Sequence, residues 1–241
     1  NVRYNLNRKA TRVRVFEIGA VFMKDAKVTD GPLSVAGITQ PKRVAAMAYG
    51  PVADEQWGQA SRPVDFFDVK ADLEALFAPF KPRFEAAVHP ALHPGRSARI
   101  SIDGEEAGFI GELHPRLQQS LELPLAPVVF EVDTRFLQQR GLPAYQEISK
   151  FPAVTRDLAL LVKQSVNVQD LIDAFTAERF ANPACRIMQD IVLFDEYRGK
   201  GLAEDQKSLA FRITMQDTQS TLQDESVDAA IAAFVDVVNK K

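Results

Sequence analysis

The sequence predicts an α+β chain in two successive parts, residues 1–146 and 147–241. Three observations predict it. Segments that alternate apolar and polar residues recur along the chain, some separated only by tight turns, the pattern of antiparallel sheet. Segments with apolar residues at helical spacing are interleaved with them. Around 141–152 the stretch GLPAYQEISKFP carries Gly141, Pro143 and Pro152 with no periodicity, and the pattern restarts beyond it.

The first part opens with a strand over 12–23, where Val13, Val15 and Phe16 stand against Arg12, Arg14 and Glu17. Arg3, Arg8, Lys9, Arg12 and Arg14 form a basic patch on or beside it, either a solvated strand face or a phosphate contact. The stretch 31–41 is turn-rich at both ends, and RVAAMAYG (43–50) is a second strand. In 65–80, Phe66, Val69, Leu73, Leu76 and Phe77 recur at helical spacing; Asp65 can cap the start, and Pro79 and Pro82 end the helix. Residues 98–113 predict two strands joined through Asp103-Gly104, a strong hairpin signal. His114-Pro115 opens a short helix, PVVFEVD (127–133) is a strand, and TRFLQQR begins another helix.

In the second part RDLALLV (156–162) is a strand. A helix follows with Val168, Leu171, Ile172 and Phe175 on one face. CRIMQDIVLFDEYRG (185–199) predicts a strand with Cys185 at its start, and KSLAFRITM (207–215) a half-buried strand. DESVDAAIAAFVDVV predicts an amphipathic helix capped by Asp224, with Val227, Ile231, Phe234, Val235 and Val238 inward. The order β-α-β-β-α is five sixths of the split βαβ, ferredoxin-like plan. Its last strand is expected to be absent, because Lys240-Lys241 follow the helix directly. The expected result is an antiparallel sheet with two helices on one face and the other face open.

Composition excludes several classes. Hydrophobic residues make up 46% and charged residues 25%, enough apolar surface for a core, so wholesale disorder is excluded. No apolar run reaches the roughly 18 residues of a membrane-spanning helix. The start, NVRYNLNRKA, has neither Met nor an apolar signal core, which predicts an internal piece of a longer, unsecreted chain. One cysteine excludes an internal disulfide framework. Residues 1–146 hold 18 basic and 17 acidic side chains and 147–241 hold 11 and 15, so any nucleic-acid contact must come from a local patch.

No self-sufficient active site is legible. His89 and His93 are four apart, but proline follows each and opposes helical geometry, so they are expected to be loop histidines making hydrogen bonds, and no metal site is expected. No phosphate-binding glycine loop and no GxSxG turn occurs. The stretch FDEYRGKGLAEDQKSLAFRI (194–213) stands apart, because a strand end, a basic glycine-containing loop and the next strand come in series. Asp195 and Tyr197 are expected to share a face. The Tyr197 ring can stack on a base, Arg198, Lys200 and Lys207 can meet phosphates, and Ser208 can contact a base or backbone. Alternatively this is an ordinary hairpin with solvated charges.

These same residues carry a resemblance. EISKFPAVTRDLALLV, LFDEYRGKGLAEDQKSLAFRI and DTQSTLQDESVDAAI resemble the ferredoxin-fold anticodon-binding domain that closes the beta subunits of bacterial phenylalanyl-tRNA synthetases. RVRVFEIGAVF, VDFFDVKADLEALF, HPALHPGRSARI and GFIGELHP are similar to the catalytic-like module of that family. The resemblance covers essentially the whole chain. It implies a C-terminal portion of such a subunit: a truncated, inactive class II synthetase-like antiparallel sheet module over 1–146, then the anticodon-binding domain over 147–241. It further implies an α2β2 cytoplasmic enzyme that joins phenylalanine to its tRNA with ATP and Mg2+, with catalysis in the alpha subunit and the beta module as scaffold. By motif position it assigns Asp195, Tyr197 and Ser208 to anticodon bases and Arg198, Lys200 and Lys207 to the tRNA backbone, with no catalytic or metal-binding residue and no bound cofactor. Phe151 and Arg156 also match a family motif, as strand packing or RNA contact. The first part agrees with inactivity, since RVRVFEIG lacks the FRxE pattern of an active site and VVFEVDTRFLQQR has no glycine before its helix. The alternative is a stand-alone ferredoxin-like protein-interaction module.

Overall fold

The computed structural model describes residues 2–138, 145 and 147–239. The chain divides into two compact units, Asn1–Leu142 and Pro143–Lys241. The expected division at 146/147, with Gly141 and Pro143, lies outside the described residues, as do Lys240 and Lys241.

The first unit begins with α1 (Val2–Leu6), a helix that the residue pattern does not predict. The segments that follow are β1 (Val13–Ala20), the short pair β2 (Met23–Lys24) and β3 (Ile38–Thr39), and β4 (Lys42–Tyr49). Next come α2 (Phe66–Phe77), β5 (Arg83–Ala86), β6 (Leu92–Ile102), β7 (Glu105–Leu113), α3 (Pro115–Ser120), β8 (Val128–Asp133) and α4 (Arg135–Gln138). Six strands form one antiparallel sheet in the order β1-β4-β8-β7-β6-β5, and β2 and β3 pair separately. The predicted hairpin is β6–β7, turning at Asp103-Gly104, both with positive φ. β5 was not expected, and β6 starts six residues earlier than its alternation indicated, because an irregularity between Leu92 and Ser97 hides the period.

The sheet buries Val44, Ile100, Ile110, Val128 and Val132 against Val69, Leu73 and Phe77 of α2. The basic residues of the N-terminal stretch do not make one face. Arg3 pairs with Glu122 at 2.7 Å, Arg8 lies over the Tyr4 ring, and Arg14 reaches Asp72 at 2.8 Å.

α2 starts as the sequence indicates. The Asp65 carboxylate accepts from the backbone N–H groups of Phe67 and Asp68, and the Asp68 carboxylate accepts from the Asp65 N–H, a closed capping box. Arg62 grips Asp68 through two hydrogen bonds of 2.7 Å. That fork, aided by the Asp65 backbone N–H, holds the Asp68 carboxyl down at about 2, against an ordinary value of 3.8. A depressed carboxyl stabilises the fold above its unfolded value, and this stabilisation is lost as pH falls from about 4 through about 2. The expected loss is about 1 kcal/mol, discounted because Arg62 is half exposed. Melting between pH 7 and pH 2 measures it. Asp68→Asn should lower the neutral-pH stability and flatten the acid limb, and an unchanged acid limb would refute the assignment.

The second unit holds β9 (Val154–Lys163), α5 (Val168–Ala181), a 3-10 turn (Pro183–Ile187), β10 (Met188–Tyr197), β11 (Gln206–Met215) and α6 (Asp224–Val238). The strands form an antiparallel sheet in the order β10-β11-β9, the spatial order that a split βαβ unit dictates for its first three strands. Leu209, Phe211, Ile213 and Met215 of β11 pack with Leu171 and Phe175 of α5 and Val227, Ala230 and Phe234 of α6. Phe175 meets Phe234 edge-on, ring centroids 5.6 Å apart. Two expectations are corrected. Cys185 lies in the 3-10 turn, fully buried, and not at a strand start, because Pro183 and the Asn182 cap impose the turn. Asp224 is the first residue of α6 and not its cap; Gln223 precedes the helix without a side-chain cap, while Asp224 binds Arg156 at 3.0 Å.

Candidate nucleic-acid interface

Strand alternation divides β11 into two faces. Lys207, Leu209, Phe211, Ile213 and Met215 point toward the helices, and Ser208, Ala210, Arg212 and Thr214 toward the open side. Pairing carries this division to the neighbours. Tyr197 lies opposite Ser208 and Asp195 opposite Ala210 on β10, while Leu161, Ala159 and Asp157 of β9 lie opposite Ser208, Ala210 and Arg212. Directly opposed residues share a face. Asp195, Tyr197 and Ser208 are therefore brought together on the open face, at the end where β10 turns into β11.

The Tyr197 ring is fixed against that turn. Its hydroxyl donates to the Lys200 carbonyl at 3.1 Å. A Cβ added to Gly199 would lie 2.8 Å from the Tyr197 hydroxyl oxygen, so glycine leaves room for the ring. Tyr197 remains 49% exposed, which suits a stacking platform. Arg198 and Lys200 are exposed at the same turn, with the Arg198 guanidinium on Glu196.

Lys207 does not join them. It is 5% exposed and falls in the helix-facing set of β11, one residue out of phase with Ser208. Its role as a backbone contact is corrected on that ground; the basic composition of the loop indicated a phosphate partner, but strand phase decides the face. The Phe151 carbonyl accepts from the Gln216 side chain at 2.7 Å, and Arg156 binds Asp224 at 3.0 Å.

The sequence reading missed a neighbouring cluster. A bulge between Leu193 and Asp195 leaves Phe194 without a ladder partner. Phe194 lies beneath Arg212, whose guanidinium carbon is 5.1 Å from the ring centroid. Arg212 forks onto Asp157 through Nε at 2.8 Å and Nη2 at 2.7 Å. The guanidinium holds the Asp157 carboxyl below the usual carboxylate range. Arg212 was visible in the sequence as the polar member of an alternating strand, whereas the bulge that lets Phe194 and Asp195 both face the open side left no signal.

Each of the three histidines caps a backbone N–H two residues on, His93 from within β6 and His114 at the start of α3. Nδ1 of His89, His93 and His114 accepts the backbone N–H of Ala91, Gly95 and Arg116 respectively. In the first unit, the sheet face away from α2 has a hollow of about 320 Å³ over β1, β4 and β8. Its charged lining residues, Glu17 and Glu131, are both anionic. A nucleoside triphosphate placed there would meet two carboxylates and no lining cation, so these residues do not fit ATP. Among the described residues no three of His, Cys, Asp and Glu come together to hold a metal ion, and no helix is long and apolar enough to cross a membrane.

The comparisons with known proteins agree with this architecture. A family model described as "Phenylalanyl tRNA synthetase beta chain CLM domain" matches residues 1–134, and one described as "Ferredoxin-fold anticodon binding domain" matches residues 149–241. Among curated proteins, the chain is similar to the phenylalanine–tRNA ligase beta subunit of Ralstonia nicotianae, 59% identical over 238 residues, covering 97% of this chain and 29% of that protein. The beta subunit from Burkholderia pseudomallei is 58% identical over 240 residues, covering 98% of this chain and 30% of that protein. That from Dechloromonas aromatica is 51% identical over 235 residues, covering 98% and 28%. The chain thus spans less than a third of the length of the curated relatives it matches. Fold and matches together define an α+β chain that pairs a catalytic-like sheet module with a ferredoxin-fold anticodon-binding domain. The chain belongs to the phenylalanyl-tRNA synthetase beta chain family.

Proposed function

We propose that this chain is the non-catalytic C-terminal portion of a phenylalanine–tRNA ligase beta subunit. Its second unit reads the anticodon of the phenylalanine tRNA, and its first unit scaffolds the alpha subunit of an α2β2 cytoplasmic enzyme. The observation that carries the reading is the convergence of Asp195, Tyr197 and Ser208 on the open sheet face. A ring, a carboxylate and a hydroxyl side by side match what an unstacked base requires: a stacking surface, an acceptor for base N–H groups and a short adaptable partner. Arg198 and Lys200 at the adjoining turn hold the backbone. The whole enzyme's ATP and Mg2+ belong to the alpha subunit, in keeping with the anionic hollow of the first unit. The scaffolding role is supported by β1, an edge strand with Val15, Phe16 and Ile18 exposed, Phe16 at 73%. Exposed apolar side chains on an edge strand mark a surface that a partner covers.

Binding to a stem-loop with the phenylalanine anticodon, against a loop with a changed anticodon and across a salt series, tests the reading. Tyr197→Ala should cost roughly 1–3 kcal/mol of affinity for the phenylalanine loop and erase the preference. Equal, steeply salt-dependent binding to both loops would reduce the interaction to phosphate attraction and refute anticodon reading. In the same series Phe16→Asp should leave stem-loop affinity unchanged while preventing co-elution with the alpha subunit; retained co-elution would refute the scaffolding surface.

A further inference from the structure

We propose that the Asp157–Arg212–Phe194 cluster is a second nucleotide station on the open sheet face, binding an RNA base beside the one received at Tyr197. This rests on the anticodon-reading proposal and extends it. The first argument is placement. Ser208 and Arg212 point to the same side of β11, four residues apart, about 13 Å at a strand rise of about 3.3 Å per residue. The two stations therefore lie on one surface but cannot serve one base.

The second argument is the chemistry that the cluster presents. Phe194 offers a half-exposed ring on the open face, without a ladder partner because of the bulge that follows Leu193. Arg212 uses Nε–H and one Nη2–H on Asp157, and its two Nη1 hydrogens have no partner among the described residues. A planar guanidinium locked at one edge and open at the other suits the acceptor edge of a base, or a base stacked on its plane.

The third argument is local charge. Asp157 lies opposite Arg212, and Asp195 lies opposite Ala210, two residues along β11 on the same face. Two carboxylates beside a single guanidinium disfavour a phosphate and favour a neutral base that offers both donors and acceptors. Leu161 and Val192, each about half exposed, extend the apolar surface on either side of β11. The ligand class is thus an unstacked nucleobase of a single-stranded loop.

The test measures the affinity of the 241-residue chain for the phenylalanine anticodon stem-loop and for versions with one abasic nucleotide at each loop position in turn. Arg212→Ala and Phe194→Ala should each weaken binding to the intact loop about 5- to 150-fold, the range of one lost stacking partner. Each should have no further effect on the loop that is abasic at one particular position. Tyr197→Ala should be silent at a different position. Arg212→Lys should behave like Arg212→Ala, because it keeps the charge and loses the plane. Both side chains are exposed, and an unchanged melting temperature confirms that each variant is folded. Variants that bind every loop as the parent does, while Tyr197→Ala still weakens binding, would overturn the second station and leave anticodon reading standing. Uniform weakening across all abasic loops, or rescue by lysine, would overturn base recognition in favour of phosphate contact. No binding by the parent chain would overturn both proposals.

Discussion

Gly108→Ala is expected to destabilise the first unit by roughly 4 kcal/mol or more, in the tail where few single substitutions fall. Gly108 sits in β7 directly opposite Val132 of β8, with a φ of +156°. A Cβ added there would stand 1.9 Å from the Glu131 carbonyl oxygen and 2.9 Å from both the Glu131 carbonyl carbon and the Val132 Cα. All three atoms are backbone, so no side chain can rotate away. Relief requires separating β7 from β8 in the middle of the six-stranded sheet. Two consequences should be visible in thermal or denaturant unfolding: a large loss for a transition reporting residues 1–138, and little change for one reporting residues 147–239, which has its own core. A stability change below about 1 kcal/mol would refute the close approach of the β7 and β8 backbones at Gly108.

Phe211→Ala should have the next largest effect, about 3–5 kcal/mol, this time on the second unit. Phe211 is fully buried at the centre of the middle strand, opposite Leu193 on one side and Leu158 on the other, and packs in the core with α5 and α6. Truncation leaves a cavity that two strands and two helices would have to collapse together to fill. Stem-loop binding should fall with it in proportion to the unfolded fraction and recover on cooling. Its neighbour Arg212 faces the opposite way, and Arg212→Ala should leave the melting temperature almost unmoved. A Phe211→Ala chain that melts like the parent would contradict the assigned strand phase. That phase also places Lys207 on the helix side and Ser208 on the open side, so this measurement bears on the site as well as the core.

Much of this was legible in the residues. Leu209, Phe211, Ile213 and Met215 alternate without interruption, so β11 and its buried face follow from period 2 alone. Asp65 before the periodic run of Phe66, Val69 and Leu73 gives the start of α2, and Asp103-Gly104 gives the turn between β6 and β7. The element order β-α-β-β-α fixes the second unit as a ferredoxin-like sheet, and long ordered motifs carry the family resemblance. The stretch 194–213 stands out because a strand end, a basic loop and the next strand come in series, and the family motif within it groups Asp195, Tyr197 and Ser208.

Tertiary structure decided what local pattern could not. Phase within a strand is a relative quantity, and composition drew Lys207 toward phosphate although its register turns it toward the helices. A bulge adds one residue without changing composition, so alternation could not show that Phe194 and Asp195 both face the open side. The fork between Arg212 and Asp157 joins residues 55 positions apart, and only the pairing of β11 with β9 brings them together. The turn holding Cys185 and the position of Asp224 inside α6 likewise follow from which backbone N–H groups found partners after packing. The sequence by itself determined which faces are apolar, where helices begin and which family the chain resembles, because these depend on residues near one another. Which polar side chains meet on the open face depends on register across strands, and that was set when the sheet closed over its helices.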